Sequence, residues 1–160
     1  MVKQKGHIMG VASMAAFLSL AGMVDYCTTK VGVLAFYEGL SQEIKHRFYC
    51  PYIKTSVVYP PWTRTRLIRA VENGLQRRGL TILEPEVVAE AMFKHILYGQ
   101  SGQVFVGSPV AAAIRVLPAW IQELIRDWNS QIVNVHATTA VAGKETNTAT
   151  EGATEQKSKT

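Results

Sequence analysis

The sequence predicts an α/β domain built on about three parallel strands with helices between them. A short apolar run without alternation at residues 6–13 reads as a strand buried on both faces, and residues 53–59 and 103–106 read as two further strands. Segments with helical spacing separate them, and strands alternating with helices are the pattern of a parallel sheet. With 160 residues, 48% hydrophobic and 18% charged, the chain has room for one domain at most.

The strand at 6–13 leads into a loop rich in small residues at 14–24. A helix from about Asp25 to His46 follows, with Val33, Phe36, Tyr37, Leu40 and Ile44 as an apolar stripe. Ile53–Tyr59 is the second strand, stopped by Pro60 and Pro61, and Thr65 is placed to cap a helix over Arg66–Asn73. Pro85 opens a helix to about Tyr98, with Val88, Met92 and Ile96 as its apolar face, and Gly99 ends it. Gln103–Val106 is the third strand. Pro109 begins a helix through Ile114 that bends at Pro118 and resumes over Trp120–Ile125. Residues 134–160, rich in Thr, Ala, Lys and Glu, are expected to be a disordered tail behind a domain at 1–133.

Several function classes recede. The net charge of +5 is modest, and Arg64, Arg66, Arg69, Arg77 and Arg78 cluster without interleaved aromatics, so they read as a solvated helical face and no nucleic-acid partner is expected. Cys27 and Cys50 give no disulfide framework, and Cys27 reads as a small packing residue because no His or acid is placed to activate it. His7, His46, His95 and His136 are scattered, with no metal-ligand spacing. Lys3 and Lys5 ahead of the uncharged stretch Ile8–Val24 imitate a signal peptide or short anchor. That reading leaves the next motif as coincidence.

Tyr26 and Lys30 stand four apart at the start of a helix, and residues four apart share a face. An ammonium beside a phenol favours the phenolate, which makes the hydroxyl a usable general acid or base near neutral pH. Ser13, at the end of the first strand, could hold a substrate oxygen.

Gly6-His-Ile-Met-Gly-Val-Ala-Ser13, then Tyr26-Cys-Thr-Thr-Lys30, then Val57-Val-Tyr-Pro-Pro-Trp-Thr-Arg-Thr65, resemble in order and spacing the C-terminal half of a short-chain dehydrogenase/reductase. The resemblance covers roughly residues 1–130 and implies the matching half of a Rossmann-type doubly wound sheet. It implies hydride transfer between a nicotinamide and an alcohol or carbonyl, with NAD or NADP as cofactor and NADP slightly favoured. Tyr26 would be the general acid or base, Ser13 would hold the substrate oxygen, and Lys30 would bind the nicotinamide ribose. Pro60 and Thr65 would face the cofactor. Pro61 stands where the family usually has Gly, which changes the backbone options there.

The family's Gly-rich phosphate loop and catalytic Asn would lie upstream of Met1, so the chain is expected to be a truncated catalytic half that binds neither NAD nor NADP by itself. The alternative is an inactive truncation product or interaction module. Leu117-Pro-Ala-Trp120 resembles dehydrogenases acting on retinoids, steroids and other lipid alcohols. The Leu, Ile and Trp side chains of Leu67–Leu80 and Ile114–Ile125 have little else to pack on once the core strands are covered, so these segments are expected to line an apolar pocket, with Trp120 and Trp128 resting on a membrane surface. A homodimer in the full-length form, and a cytoplasmic or endoplasmic-reticulum, lipid-surface location inside the cell, complete what the resemblance implies.

Overall fold

The computed structural model describes residues 5–130, apart from 70, 78 and 108. The tail expectation for 134–160 and the placement of Arg78 and His136 lie outside the described residues. Three parallel strands, β1 (Gly6–Val11), β2 (Ile53–Tyr59) and β3 (Gly102–Phe105), form one sheet in the order β1-β2-β3. Gly6 pairs with Ile53 and Val11 with Val58, while Ser56 pairs with Gly102 and Tyr59 with Phe105. Only β2 has a neighbour on each side within the described residues. Its residues from Thr55 to Tyr59 are all buried, as a strand without alternation requires.

The first strand corrects the expectation of a run buried through residue 13. It ends at Val11 and is an edge within the described residues, with Ile8 46% and Val11 45% exposed. A continuous apolar run reports the hydrophobicity of both faces and says nothing of what lies beside the strand in the sheet.

Two helices cover the two faces of β2, because neighbouring strand residues point to opposite sides. Helix α1 (Val24–Gln42) packs over Val57 and Tyr59, with Leu34, Ala12 and Ala16 in the same buried cluster. A further helix on the other face, introduced below, packs over Val58. Gly22, with φ of 78°, turns the chain into α1. The helix runs into a single π turn over Glu43–Arg47. Of the expected stripe, Ile44 is buried and Val33 and Tyr37 pack against the core, while Phe36 is 67% exposed and Leu34, outside the stripe, is buried. Apolar residues occur all round this helix, so spacing alone did not single out the inward face.

After Pro60 and Pro61 the chain makes an excursion containing a 3-10 turn (Arg66–Ile68) and helix α2 (Glu72–Arg77). The excursion is closed at its neck. Arg64 N–H donates to the Leu83 carbonyl, and Leu83 N–H to that of Trp62, each at 2.8 Å. The Arg64 guanidinium also bridges Glu72 and Glu84, each at 3.0 Å. Arg64 is therefore engaged, whereas the neighbouring Arg66, Arg69 and Arg77 make the exposed face the sequence suggested. Thr65 precedes the 3-10 turn, but its side chain makes no capping hydrogen bond, so the expected side-chain cap is absent.

Helix α3 (Pro85–Leu97) packs Val88 against Val58 and Val106 and ends at Gly99, whose φ is 61°. Ile96, expected on its inner face, is 43% exposed. Helices α4 (Val110–Ile114) and α5 (residues 119–130) are separated by a turn at Pro118. The proline removes a backbone donor, and the expected bend becomes a full interruption. No described helix is long and apolar enough to cross a membrane.

A buried polar strap crosses the sheet on the α3 side. Ser56 is fully buried, and its Oγ lies 2.8 Å from His7 Nε2 and 2.9 Å from His95 Nε2, while donating to the Gln100 carbonyl at 3.2 Å. A serine has one proton. With that proton on Gln100, both imidazoles must donate from Nε2–H. Burial first, then His95 and Lys54, hold the His7 pKa below its ordinary 6.5. Folding thus favours neutral His7: the stability it contributes is present above about pH 6.5 and is lost as pH falls through the lower folded value. Thermal melts from about pH 7.5 down to about pH 5 should show a falling Tm that His7→Gln flattens. An identical slope in the variant would sink the assignment.

Candidate active site at the C-terminal ends of the strands

Ser13, Tyr26 and Lys30 gather beyond the C-terminal end of β1, where open parallel sheets place their ligands. Ser13 sits in extended backbone (φ −169°) at the entry to a 3-10 turn over Met14–Ala16. Its Oγ accepts from Ala15 N–H at 3.2 Å and donates to the Pro60 carbonyl at 3.4 Å. Met14 N–H adds a 3.1 Å bond to the same carbonyl. The Ser13 hydroxyl is thereby tied to the end of β2, and Pro60 acts through its backbone oxygen.

Tyr26 and Lys30 lie on one face of the first turns of α1, as the spacing requires. Lys30 Nζ is 5.5 Å from the Tyr26 ring centroid and donates to the Val11 carbonyl at 3.0 Å. That bond fixes α1 against the end of β1. The half-buried Tyr26 hydroxyl has no hydrogen bond among the described residues, and none joins it to Ser13. Cys27, next to it, is 2% exposed and packs in the interior, in keeping with a packing role. Thr65 is exposed, and no contact ties it to this group. The structure therefore brings Ser13, Tyr26, Lys30 and Pro60 to one end of the sheet and leaves Thr65 apart. The two backbone carbonyls that hold the site, of Val11 and Pro60, carry no side-chain signal for sequence reasoning to find.

The floor behind Ser13 is aromatic. Tyr59 is fully buried, stacked on Phe105 (centroids 4.9 Å apart) and edge-on to Phe17 (4.8 Å). Phe17 belongs to the loop between Ser13 and Tyr26, so this cluster anchors that loop to β2 and β3. The Tyr59 hydroxyl has no hydrogen-bond partner among the described residues, and burial pushes its pKa up, with Glu38 and Tyr37 adding to the effect.

An open cavity of about 300 Å³ lies beside the same loop, lined by Phe17, Ser19, Arg115, Gln122 and Arg126. Its lining is largely polar and takes no residue from 67–80, so this cavity is not the expected apolar pocket. The reason is the rotation of α5. Residues 121, 122, 125, 126 and 129 are half-covered, while Trp120, Leu124 and Trp128 are 64%, 61% and 69% exposed. Arg115 and Arg126 thus border the cavity.

A parallel sheet covered by helices on both faces, with Tyr and Lys on one helix face beside a strand-end Ser, defines a doubly wound α/β unit. A family model for short chain dehydrogenases matches residues 1–76. Retinol dehydrogenase 10 from Homo sapiens is 36% identical over 96 residues, which is 59% of this chain and 28% of that protein. Retinol dehydrogenase 10-A from Xenopus laevis is 45% identical over 64 residues, 40% of this chain and 18% of that one. Among solved structures, a short chain dehydrogenase from Burkholderia cenocepacia in complex with NADP aligns at a TM-score of 0.55 and 21% identity, covering 75% of this chain and 46% of its own. One from Burkholderia phymatum in complex with NAD aligns at 0.54 and 23%, covering 78% and 50%. These two alignments speak for the fold. Through the matched segment, the chain is similar to the short chain dehydrogenases. It spans less than a third of the curated relatives' length and about half of the solved structures.

Proposed function

We propose that residues 1–133 carry the acid–base portion of an NAD(P)-dependent oxidoreductase that interconverts an alcohol and a carbonyl. The single observation behind this reading is the placement of Tyr26 and Lys30 on one helix face beside the Ser13 end of the sheet. Tyr26 gives its proton to the carbonyl oxygen in reduction and takes it back in oxidation. Ser13 positions that oxygen, trading its 3.4 Å bond to Pro60 for one to substrate. Lys30 uses one of its three ammonium donors on Val11, leaving two for the ribose hydroxyls of a nicotinamide cofactor. The nicotinamide, when bound, supplies or accepts the hydride. Pro60 and Thr65 complete the cofactor-facing wall in this reading. NADP and NAD in the two solved relatives support a nicotinamide dinucleotide without choosing between them.

The retinol dehydrogenase relatives and the apolar side chains around the site favour a lipid-like alcohol or ketone. The exposed Trp120, Leu124 and Trp128 supply an apolar strip for peripheral contact with a lipid surface, and the exposed Phe36 on α1 offers a face for a homodimer of the longer form. The test is nicotinamide-dependent turnover, in a protein carrying this chain joined to a dinucleotide-binding half, on retinoid and steroid carbonyls against short polar ones. Lipid carbonyls should be preferred, and Lys30→Ala should lower both turnover and cofactor affinity. No turnover on any carbonyl would overturn the reading.

A further inference from the structure

The helix pair α4–α5 meets the rest of the molecule at the loop between Ser13 and Tyr26. Arg115 donates to the Ala16 carbonyl at 2.6 Å and to that of Phe17 at 3.5 Å, with its guanidinium 5.9 Å from the Phe17 ring centroid. Ala21 N–H donates to Ser130 Oγ at 3.2 Å from the far end of α5. Between these two seams lies the open cavity of about 300 Å³.

Its polar wall is organised. Gln122 sends its amide N–H groups to the carbonyls of Leu117 (2.7 Å) and Arg115 (3.4 Å). That fixes which end of the amide remains, and its Oε1 accepts from Arg126 Nη2 at 2.8 Å. Arg126 therefore lies on the half-covered face of α5, held by a neutral partner. Neither Arg115 nor Arg126 forms an ion pair among the described residues, although Arg47 and Arg64 both do. A guanidinium has five N–H donors. One of Arg126's and two of Arg115's carry the contacts above. The remaining donors belong to two residues that line the cavity together with Phe17 and Ser19.

Two cations without a carboxylate, on the wall of one cavity, make a site for a bidentate anion. We propose that this cavity binds a carboxylate or phosphate group. Resting on the oxidoreductase reading, we infer that the substrate is an apolar alcohol or ketone with an anionic end. Arg115 and Arg126 then set specificity and take no part in proton transfer. Their selectivity separates an ionised lipid from a neutral one of the same length, because a neutral end leaves both guanidinium groups without charge compensation.

Equilibrium binding to the chain itself provides the test, so the outcome is separate from that of turnover. Calorimetric titration with 12-hydroxydodecanoate, with dodecane-1,12-diol and with inorganic phosphate compares ligand sources directly. The acid should bind at least tenfold more tightly than the diol, and phosphate should compete with it. Arg126→Gln should remove that difference while leaving diol binding unchanged. Arg126→Lys, which keeps the charge and loses the planar fork, should retain part of it and covers the case in which the glutamine variant fails to fold. Phosphate binding without preference for the acid over the diol would mean an anion site unconnected to an alcohol substrate, and would overturn the substrate inference. Equal binding of acid and diol, binding of neither, or a preference unchanged in either Arg126 variant, would overturn the site. The nicotinamide-dependent reaction would still stand on the Tyr26 evidence.

Discussion

Tyr26→Phe is expected to lower turnover by about 10²- to 10⁴-fold, the range associated with losing a positioned general acid or base. The measurement is steady-state nicotinamide oxidation or reduction in a protein that carries this chain joined to a dinucleotide-binding half. Cofactor affinity should stay within about twofold, because the ring and its place beside Lys30 persist and one oxygen is lost. The Tyr26 hydroxyl has no hydrogen bond among the described residues, so its removal leaves no partner stranded and no folding penalty to confuse the readout. Near-normal turnover would remove Tyr26 from the reaction. A parallel fall in cofactor affinity would instead give it a binding role.

The second large effect is on stability, at Tyr59. Truncation to Ala should destabilise the fold by about 3–5 kcal/mol, the usual range for deleting a buried aromatic ring. The ring is fully buried between Phe17 and Phe105, and its removal takes away both aromatic contacts that fasten the Ser13 loop. Tyr59→Phe should behave in the opposite way. The hydroxyl is buried without a partner among the described residues, so exchanging it for hydrogen removes an unmet desolvation cost of about 1–3 kcal/mol and should leave stability unchanged or raise it. Urea midpoints of the two variants against the parent chain decide this. A large loss in the phenylalanine variant would show that the hydroxyl is bonded in solution.

Much of the placement of the candidate site was legible in the sequence. The four-residue spacing of Tyr26 and Lys30 is a property of a helix, and the position of Ser13 follows from where an apolar run ends. The bounds of β2 were readable for the same local reason: the apolar run stops against two prolines at Tyr59. Thr65 was placed by family spacing, and no contact in the fold ties it to the others. What each polar group bonds to was not readable. Lys30 reaches the Val11 carbonyl, and Ser13 the Pro60 carbonyl 47 residues away, and a backbone oxygen looks the same in every sequence.

By itself, the sequence determined the order of strands and helices and the parallel sheet, because periodicity and short motifs are written in neighbouring residues. Tertiary structure decided which faces turn inward. Helix α1 carries apolar residues on more than one face, so packing on Val57 and Tyr59 turned Leu34 inward and left Phe36 outside. It also decided which distant polar groups meet. His7 and His95, apparently scattered, converge on Ser56 because strand register and the end of α3 bring them there across 49 and 39 residues. Arg126 faces a cavity because the break at Pro118 lets α5 set its own rotation. Chain separation hides such encounters from any local pattern, and the register of the sheet together with the packing of its helices creates them.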